Sequence, residues 1–175
     1  DFSLNLDLDS LSSTKWLLKK EKAQKRSVDH AAEILDIESR RLKSFSSSLT
    51  VDSQSLIEFE NDFPFTPTPD QISAFKSIKK DLSLIKPMNR VLCGDVGFGK
   101  TEVAMKAAFV SVSSNKQVII ITPRTILCDQ HYDSFLKRYI NFGVTVKKLN
   151  RFVSAKDKNN IINEFNLGNI DILIC

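Results

Sequence analysis

The sequence predicts an α/β chain: a parallel sheet flanked by helices, preceded by an N-terminal helical segment. Three observations carry that prediction. Apolar runs of strand length at 116–122, 144–149 and 169–174 alternate with stretches of helix length, the pattern of parallel strands joined by crossover helices. The glycine-rich stretch Gly94-Asp95-Val96-Gly97-Phe98-Gly99-Lys100-Thr101 lies between an apolar run at 90–93 and a helical run at 102–109. From Thr14 to Lys43 the chain holds no Gly or Pro, as a long uninterrupted helix requires.

A length of 175 residues suits one domain with an appendage. We place the division at 1–55, a helical segment with a serine-rich connection, and 56–175, the α/β part. With 42% hydrophobic and 26% charged residues the composition is that of a globular chain. The net charge of +4 is compatible with nucleic acid without requiring it. Cys93, Cys128 and Cys175 are far apart and make no metal-ligand spacing with His30 or His131, so reduced, mostly buried thiols are expected. No apolar run reaches the length of a membrane span, and the first residues, Asp1-Phe2-Ser3, carry no basic leader. The absence of an initiator Met and an end inside an apolar run suggest a piece of a longer protein. A monomer is expected.

In chain order, residues 1–13 read as irregular. In 14–43, Val28, Ala31, Ala32, Leu35 and Leu42 fall near helical spacing, with a break near Ser27 left open. A solvated helix packing one stripe is preferred over a DNA-facing surface made by Lys19, Lys20, Lys22, Lys25 and Arg26, because charge runs are usually solvated. Trp16 reads as a packing anchor. Residues 44–55 are serine-rich and read as a connection; 56–62 suggest a short helix. Three prolines over 64–69 exclude regular structure there. Residues 70–85 follow as a helix with Ile72, Phe75, Ile78, Leu82 and Ile85 on one stripe, ended by Pro87. The run 90–93 reads as a buried strand, 116–122 as a second strand apolar on both faces, 144–149 as a third and 169–174 as a fourth. Residues 123–127 follow the second strand and lead into a helix through about Tyr139, a charged helix fills 154–167, and 150–152 is a loop.

The chemistry is concentrated in residues 94–101, which fit G-x-x-x-x-G-K-[ST], the phosphate-cradling P-loop. Glycines let successive N–H groups converge, and the helix N-terminus adds positive potential where phosphates sit. Gly94, Asp95, Val96, Gly97, Phe98 and Gly99 would form the cradle. Lys100 can reach the β- and γ-phosphates and the Thr101 hydroxyl can ligate Mg²⁺, so ATP with Mg²⁺ is the expected cofactor. Upstream, Thr68-Pro69-Asp70-Gln71 fits a capping box, with Thr as N-cap, Pro in the first helical position and Gln three residues on. The Gln71 amide could instead read adenine N6–H and N7, with Phe63 or Phe65 covering the ring. Both roles hold together only if the amide can face the nucleotide; with a P-loop downstream, the adenine role is preferred.

The run 63–175 resembles the first motor lobe of the bacterial transcription-repair coupling factors, superfamily 2 DNA translocases. The stretches that carry this are Phe63-Pro64-Phe65 with Thr68-Pro69-Asp70-Gln71, Cys93 through Met105, Thr125-Ile126-Leu127 with Gln130-His131-Tyr132, Arg151-Phe152, and Asp171-Ile172-Leu173-Ile174. Leu11-Ser12-Ser13 with Trp16, and Leu35-Asp36-Ile37 with Arg40 and Arg41, resemble the helical segment joining that family's polymerase-binding module to its motor. The resemblance implies a RecA-like lobe, incomplete at its C-terminal side. It implies adenine contacts from Phe63 and Gln71, phosphate contacts from Lys100 and Mg²⁺ ligation by Thr101. It also implies double-stranded-DNA backbone contacts from Pro123, Arg124, Thr125 and Gln130, with a second DNA-facing loop at Arg151 and Phe152. In the parent protein it implies RNA polymerase as a partner, displacement of stalled polymerase, coupling of transcription to DNA repair, and a bacterial cytoplasmic location.

The chain departs from the family at Arg124, where a second Thr is usual, at Cys128 for a small residue, at Asn150 for Ser and at Cys175 for Gly. Hydrolysis needs an acidic pair to hold Mg²⁺ and orient water. No Asp-Glu pair follows Thr101, so the chain alone is expected to hydrolyse little ATP. A RecG-type branch-migrating helicase and a nucleotide-binding module without motor activity remain as alternatives.

Overall fold

The computed structural model describes residues 14–175; the irregular start expected at 1–13, with Leu11-Ser12-Ser13, lies outside them. The chain divides after Phe45 into two compact units. Among its described residues the first holds one helix, α1 (Thr14–Lys43). Ser27 does not break it, because its hydroxyl donates back to the Ala23 carbonyl at 3.0 Å. Ion pairs Arg40–Asp36 and Arg41–Glu38 join successive turns. Arg40, Arg41 and Lys43 meet the negative end of the helix dipole. Trp16 is half-buried and no α1 side chain is fully buried.

The second unit runs through α2 (Ser53–Asn61), α3 (Pro69–Leu82), α4 (Lys100–Ser113), β1 (Val118–Ile120), α5 (Thr125–Tyr139), β2 (Val146–Lys148), α6 (Ala155–Asn166) and β3 (Ile172–Ile174). The three strands pair in parallel in the order β1-β3-β2. α5 and α6 are the crossovers that parallel pairing demands. β3 is central, and Ile172, Leu173 and Ile174 are all buried. The Gln117 amide holds the sheet's lower end by donating to the Phe165 and Ile170 carbonyls at 2.7 and 2.8 Å. Helix starts follow local chemistry. Asp52 caps α2 by accepting from Ser55 N at 3.0 Å, and Ser154 caps α6 by accepting from Asp157 N at 3.1 Å.

Several expectations need correction. Residues 90–93 are extended but form no strand, and Val91 is 83% exposed. A strand is held by ladder hydrogen bonds to a neighbour. Among the described residues 90–93 pair with no strand, and β1 keeps an unpaired edge. For the same reason 116–122 is not buried on both faces: Ile119 is 53% and Ile121 82% exposed at an edge strand. α3 stops at Leu82, capped by Ser83, before Pro87 is reached, which leaves Ile85 outside the helix. Cys93 is exposed, whereas Cys128 is buried and Cys175 half-buried; burial pushes both of the latter thiols above their ordinary range. The serine-rich stretch is bonded along the second unit rather than left loose. Ser46 N and Leu49 N donate to the carbonyls of Ile85 and Leu82 at 2.8 and 2.9 Å, and the Ser48 hydroxyl donates to Ser83 O at 2.8 Å.

The core is aromatic. Phe59 stacks on Phe109 at 4.1 Å between ring centroids, Tyr139 stacks on Phe135 at 5.7 Å, and Phe142 meets Phe59 edge-on at 5.0 Å. The Tyr139 hydroxyl donates to the Met105 carbonyl at 2.6 Å, and burial pushes its ionisation far above the usual phenol range. Within this core sits Arg138. Its guanidinium lies 3.8 Å from the centre of the Phe59 ring and pairs with both oxygens of Glu102, Nε to Oε2 at 3.2 Å and Nη2 to Oε1 at 3.0 Å. Nη2 also donates to the Phe59 carbonyl at 2.6 Å and Nη1 to Asp62 at 3.2 Å. α2, α4 and α5 therefore meet on one side chain.

Both members of the Arg138–Glu102 pair are only 7% exposed, so removing one leaves the other charge buried and unpaired. We predict that Arg138→Met lowers stability by about 3–5 kcal/mol, read from the urea unfolding midpoint. A loss under about 1 kcal/mol, the size of a surface pair, would mean that water reaches Glu102.

Candidate functional site

α4 begins at Gly99, whose φ of 69° is left-handed, and Gly97 has φ 85°. Side chains rarely adopt such angles, so the loop conformation depends on glycine at these positions. The amides of Gly99, Lys100 and Thr101 donate to no backbone oxygen among the described residues, as the first turn of a helix leaves them. Lys100 folds back over its own loop and donates to the Gly94 and Asp95 carbonyls, at 2.6 Å each. Among the described residues it pairs with no carboxylate. Amides without backbone acceptors, a helix N-terminus and an ammonium held by neutral carbonyls form a donor set that fits a phosphate group.

Gln71 closes one side of the loop. Its Oε1 accepts from Thr68 N at 3.0 Å, and Thr68 Oγ1 accepts from Gln71 N at 3.3 Å, which completes the capping box. Its Nε2 donates across to the Phe98 carbonyl at 2.9 Å. The amide is thus built into both the α3 cap and the loop. A Cβ added at Gly99 would lie 2.4 Å from Gln71 Nε2.

Phe63, Gly99, Thr101, Gln130 and His131 line one cleft of about 590 Å³. Phe63 follows directly on α2, and its ring packs edge-on against Phe65 at 5.5 Å. The Arg138 cluster fixes this geometry. Asp62, Glu102 and Arg138 line the same cleft, and Glu102 is the residue after Thr101, so the pair anchors the first turn of α4. Asn141 Nδ2 adds a bond to Asp62 at 3.1 Å.

A second cavity, about 510 Å³, is lined by Pro123, Arg124, Thr125, Ile126, Asp129, Arg151 and Phe152. It gathers five of the six residues expected to contact DNA. Gln130 is the exception: it opens into the first cleft instead. Adjacent residues of a helix point about 100° apart, so Asp129 and Gln130 serve different cavities.

The residue pattern did not single out Glu102, Arg138, Asp129 or His131. Glu102 could have been found, because it shares a helical face with Met105, Lys106 and Phe109, all buried, and a charge on an apolar stripe calls for a buried partner. Nothing local marked Arg138, whose partners are distant in sequence.

The profile described as DEAD/DEAH box helicase matches residues 68–175, more than half of the chain. The chain belongs to that family. It is similar to the transcription-repair-coupling factor of Borreliella burgdorferi, at 44% identity over 97% of this chain and 15% of that protein. It is similar to the Escherichia coli transcription-repair-coupling factor at 42% identity over the same shares. The chain therefore spans about 15% of the length of these curated relatives. Among solved structures it is similar to RecG bound to a three-way DNA junction, at 32% identity and a TM-score of 0.74 over 79% of this chain and 19% of that one. A hypothetical ATP-dependent RNA helicase from Sulfolobus tokodaii, 16% identical with a TM-score of 0.51 over 70% of this chain and 33% of that one, shares the fold. The family and the helicase lobe architecture expected from the residues are thus borne out. Among the described residues no helix is long and apolar enough to cross a membrane.

The contact between Gly99 and Gln71 yields a test of the helicase loop. We predict that Gly99→Ala destabilises the fold by at least ~1 kcal/mol through left-handed strain, with a further loss from the Gln71 clash. In a Gln71→Ala background the second loss disappears, so the two changes are non-additive. Additive urea midpoints would show that the amide does not press on the loop.

Proposed function

We propose that this chain is the nucleotide-binding lobe of an ATP-driven double-stranded-DNA translocase. In the longer protein that lobe would serve to displace stalled RNA polymerase and couple transcription to DNA repair. The observation that carries the reading is the loop at the head of α4, with its backbone amides free of backbone acceptors and the Lys100 ammonium resting on the loop's own carbonyls. On this reading Lys100 leaves its own carbonyls for the β- and γ-phosphates, and the exchange favours it because a charged acceptor replaces neutral ones. Thr101 would hold Mg²⁺, which when bound neutralises charge on the phosphate oxygens.

Gln71 can serve both its structural and its nucleotide role. An amide has two N–H donors and two acceptor lone pairs. One donor goes to Phe98 and one lone pair to Thr68, leaving one of each for the N6–H and N7 edge of adenine. Phe63, which lines the cleft beside Gly99 and Thr101, would cover the ring. Pro123, Arg124, Thr125, Arg151 and Phe152 form the surface for the DNA backbone, where contacts are independent of sequence and sensitive to salt. ATP hydrolysis and movement belong to the longer protein, in which lobes close and open around the nucleotide. A RecG-type helicase is the second reading, favoured by the 0.74 TM-score. The coupling-factor reading is preferred because those relatives match over 97% of the chain, whereas the RecG likeness covers 79%.

Two substitutions test the nucleotide site. Titrated with a fluorescent ATP analogue, Lys100→Ala should bind at least tenfold more weakly, as loss of a charge-assisted contact implies. Its far-UV circular dichroism should be retained; unchanged affinity would overturn the role of Lys100. Gln71→Ala should narrow the preference for ATP over GTP in competition, and an unaltered preference would leave Gln71 as a cap and loop tie alone.

A further inference from the structure

An acid lines the cavity assigned to DNA phosphates. Asp129 is one of its walls, beside Arg124 and Arg151. A carboxylate there opposes an anion by Coulomb's law, so its presence calls for another role. Its bonds supply one. Asp129 Oδ1 accepts from Lys148 Nζ at 2.6 Å and from Asn150 Nδ2 at 3.1 Å. The Asn150 side chain in turn accepts from Phe152 N at 3.0 Å through Oδ1, an Asx turn that shapes the backbone on either side of Arg151. The Lys148 ammonium also lies 5.1 Å from the Tyr132 ring centre, one turn along α5, so the end of β2 is held to α5 at two points. The Asp129 hydrogen bond pushes the Lys148 ammonium above its ordinary range.

We propose that Asp129 is a positioning residue for DNA binding: it ties the turn carrying Arg151 and Phe152 to α5, so that Arg151 and Arg124 face the same cavity. The idea rests on the reading of that cavity as a DNA-backbone surface. Asn150 is the adaptor, since its amide can donate to Asp129 and accept from Phe152 at once. Asp129 also adjoins Gln130, which lines the nucleotide cleft, so the tie is made at the point where α5 passes from one cavity to the other.

The sign of the effect separates positioning from simple charge. If Asp129 acts only as a charge, Asp129→Ala removes a repulsion and tightens binding to duplex DNA. If it positions the turn, the same change weakens binding. We expect Asp129→Ala to bind a fluorescein-labelled duplex about five- to tenfold more weakly at fixed salt, with far-UV circular dichroism retained. We also expect faster hydrogen exchange at the Phe152 amide. Asp129→Asn should recover most of both, because an amide oxygen still accepts from Asn150. Equal or tighter duplex binding by Asp129→Ala, or unchanged Phe152 exchange where the wild type binds duplex normally, would overturn the positioning role. A wild-type chain that binds no duplex would overturn the DNA reading of the cavity itself.

Discussion

The second unit depends on one guanidinium. Arg138 joins α2 through the Phe59 carbonyl and Asp62, and joins α4 through both oxygens of Glu102. A buried ion pair has little net value when both charges must be stripped of water. Here the remaining donors are also used, on a carbonyl, on a second carboxylate and over the Phe59 ring, so no polar atom is left to oppose burial. The geometric consequence matters more than the energetic one. Glu102 follows Thr101, and Asp62 precedes Phe63. Through those two acids Arg138 joins the start of α4 to the segment that carries Phe63, on the cleft that both line.

The loop at the head of α4 takes its left-handed turns at Gly97 and Gly99, where a residue without Cβ adopts them freely. The Arg138–Glu102 pair holds α4 behind it, and the Gln71–Phe98 bond holds the loop itself. The loop satisfies itself, with Lys100 lying on its own carbonyls. A phosphate would therefore exchange partners rather than create order from disorder, and the ordering entropy that binding usually costs has largely been met by the fold.

α5 connects the two cavities. Its first turn and Asp129 face the surface proposed for DNA, and Gln130, His131 and Arg138 face the nucleotide cleft. A regular helix transmits a displacement at one end to the other because its own hydrogen bonds hold it rigid.

Much of this was legible in the residues because it is local. The long α1 follows from thirty positions without Gly or Pro. The Thr68–Gln71 capping box, the start of α4 at the glycine loop and the helix ending at Tyr139 all follow from short-range chemistry, although α5 starts at Thr125, earlier than the residues suggested. The parallel pairing followed from the alternation of strands and helices. The exposed run at 90–93 was misread because a strand is a property of two segments, and composition cannot say whether a neighbour is present. For Gln71 the residues favoured the adenine role over the cap, and they could not reveal the bond to Phe98, because only the fold places that carbonyl beside it. Arg138 with Glu102, and Asp129 with Asn150, were invisible for the same reason: their partners are far apart along the chain. The sequence by itself determined which elements form and that a phosphate loop is among them. Only the tertiary structure decided which charges are buried and which cavity each residue faces, since burial and pairing arise when distant segments exclude water between them.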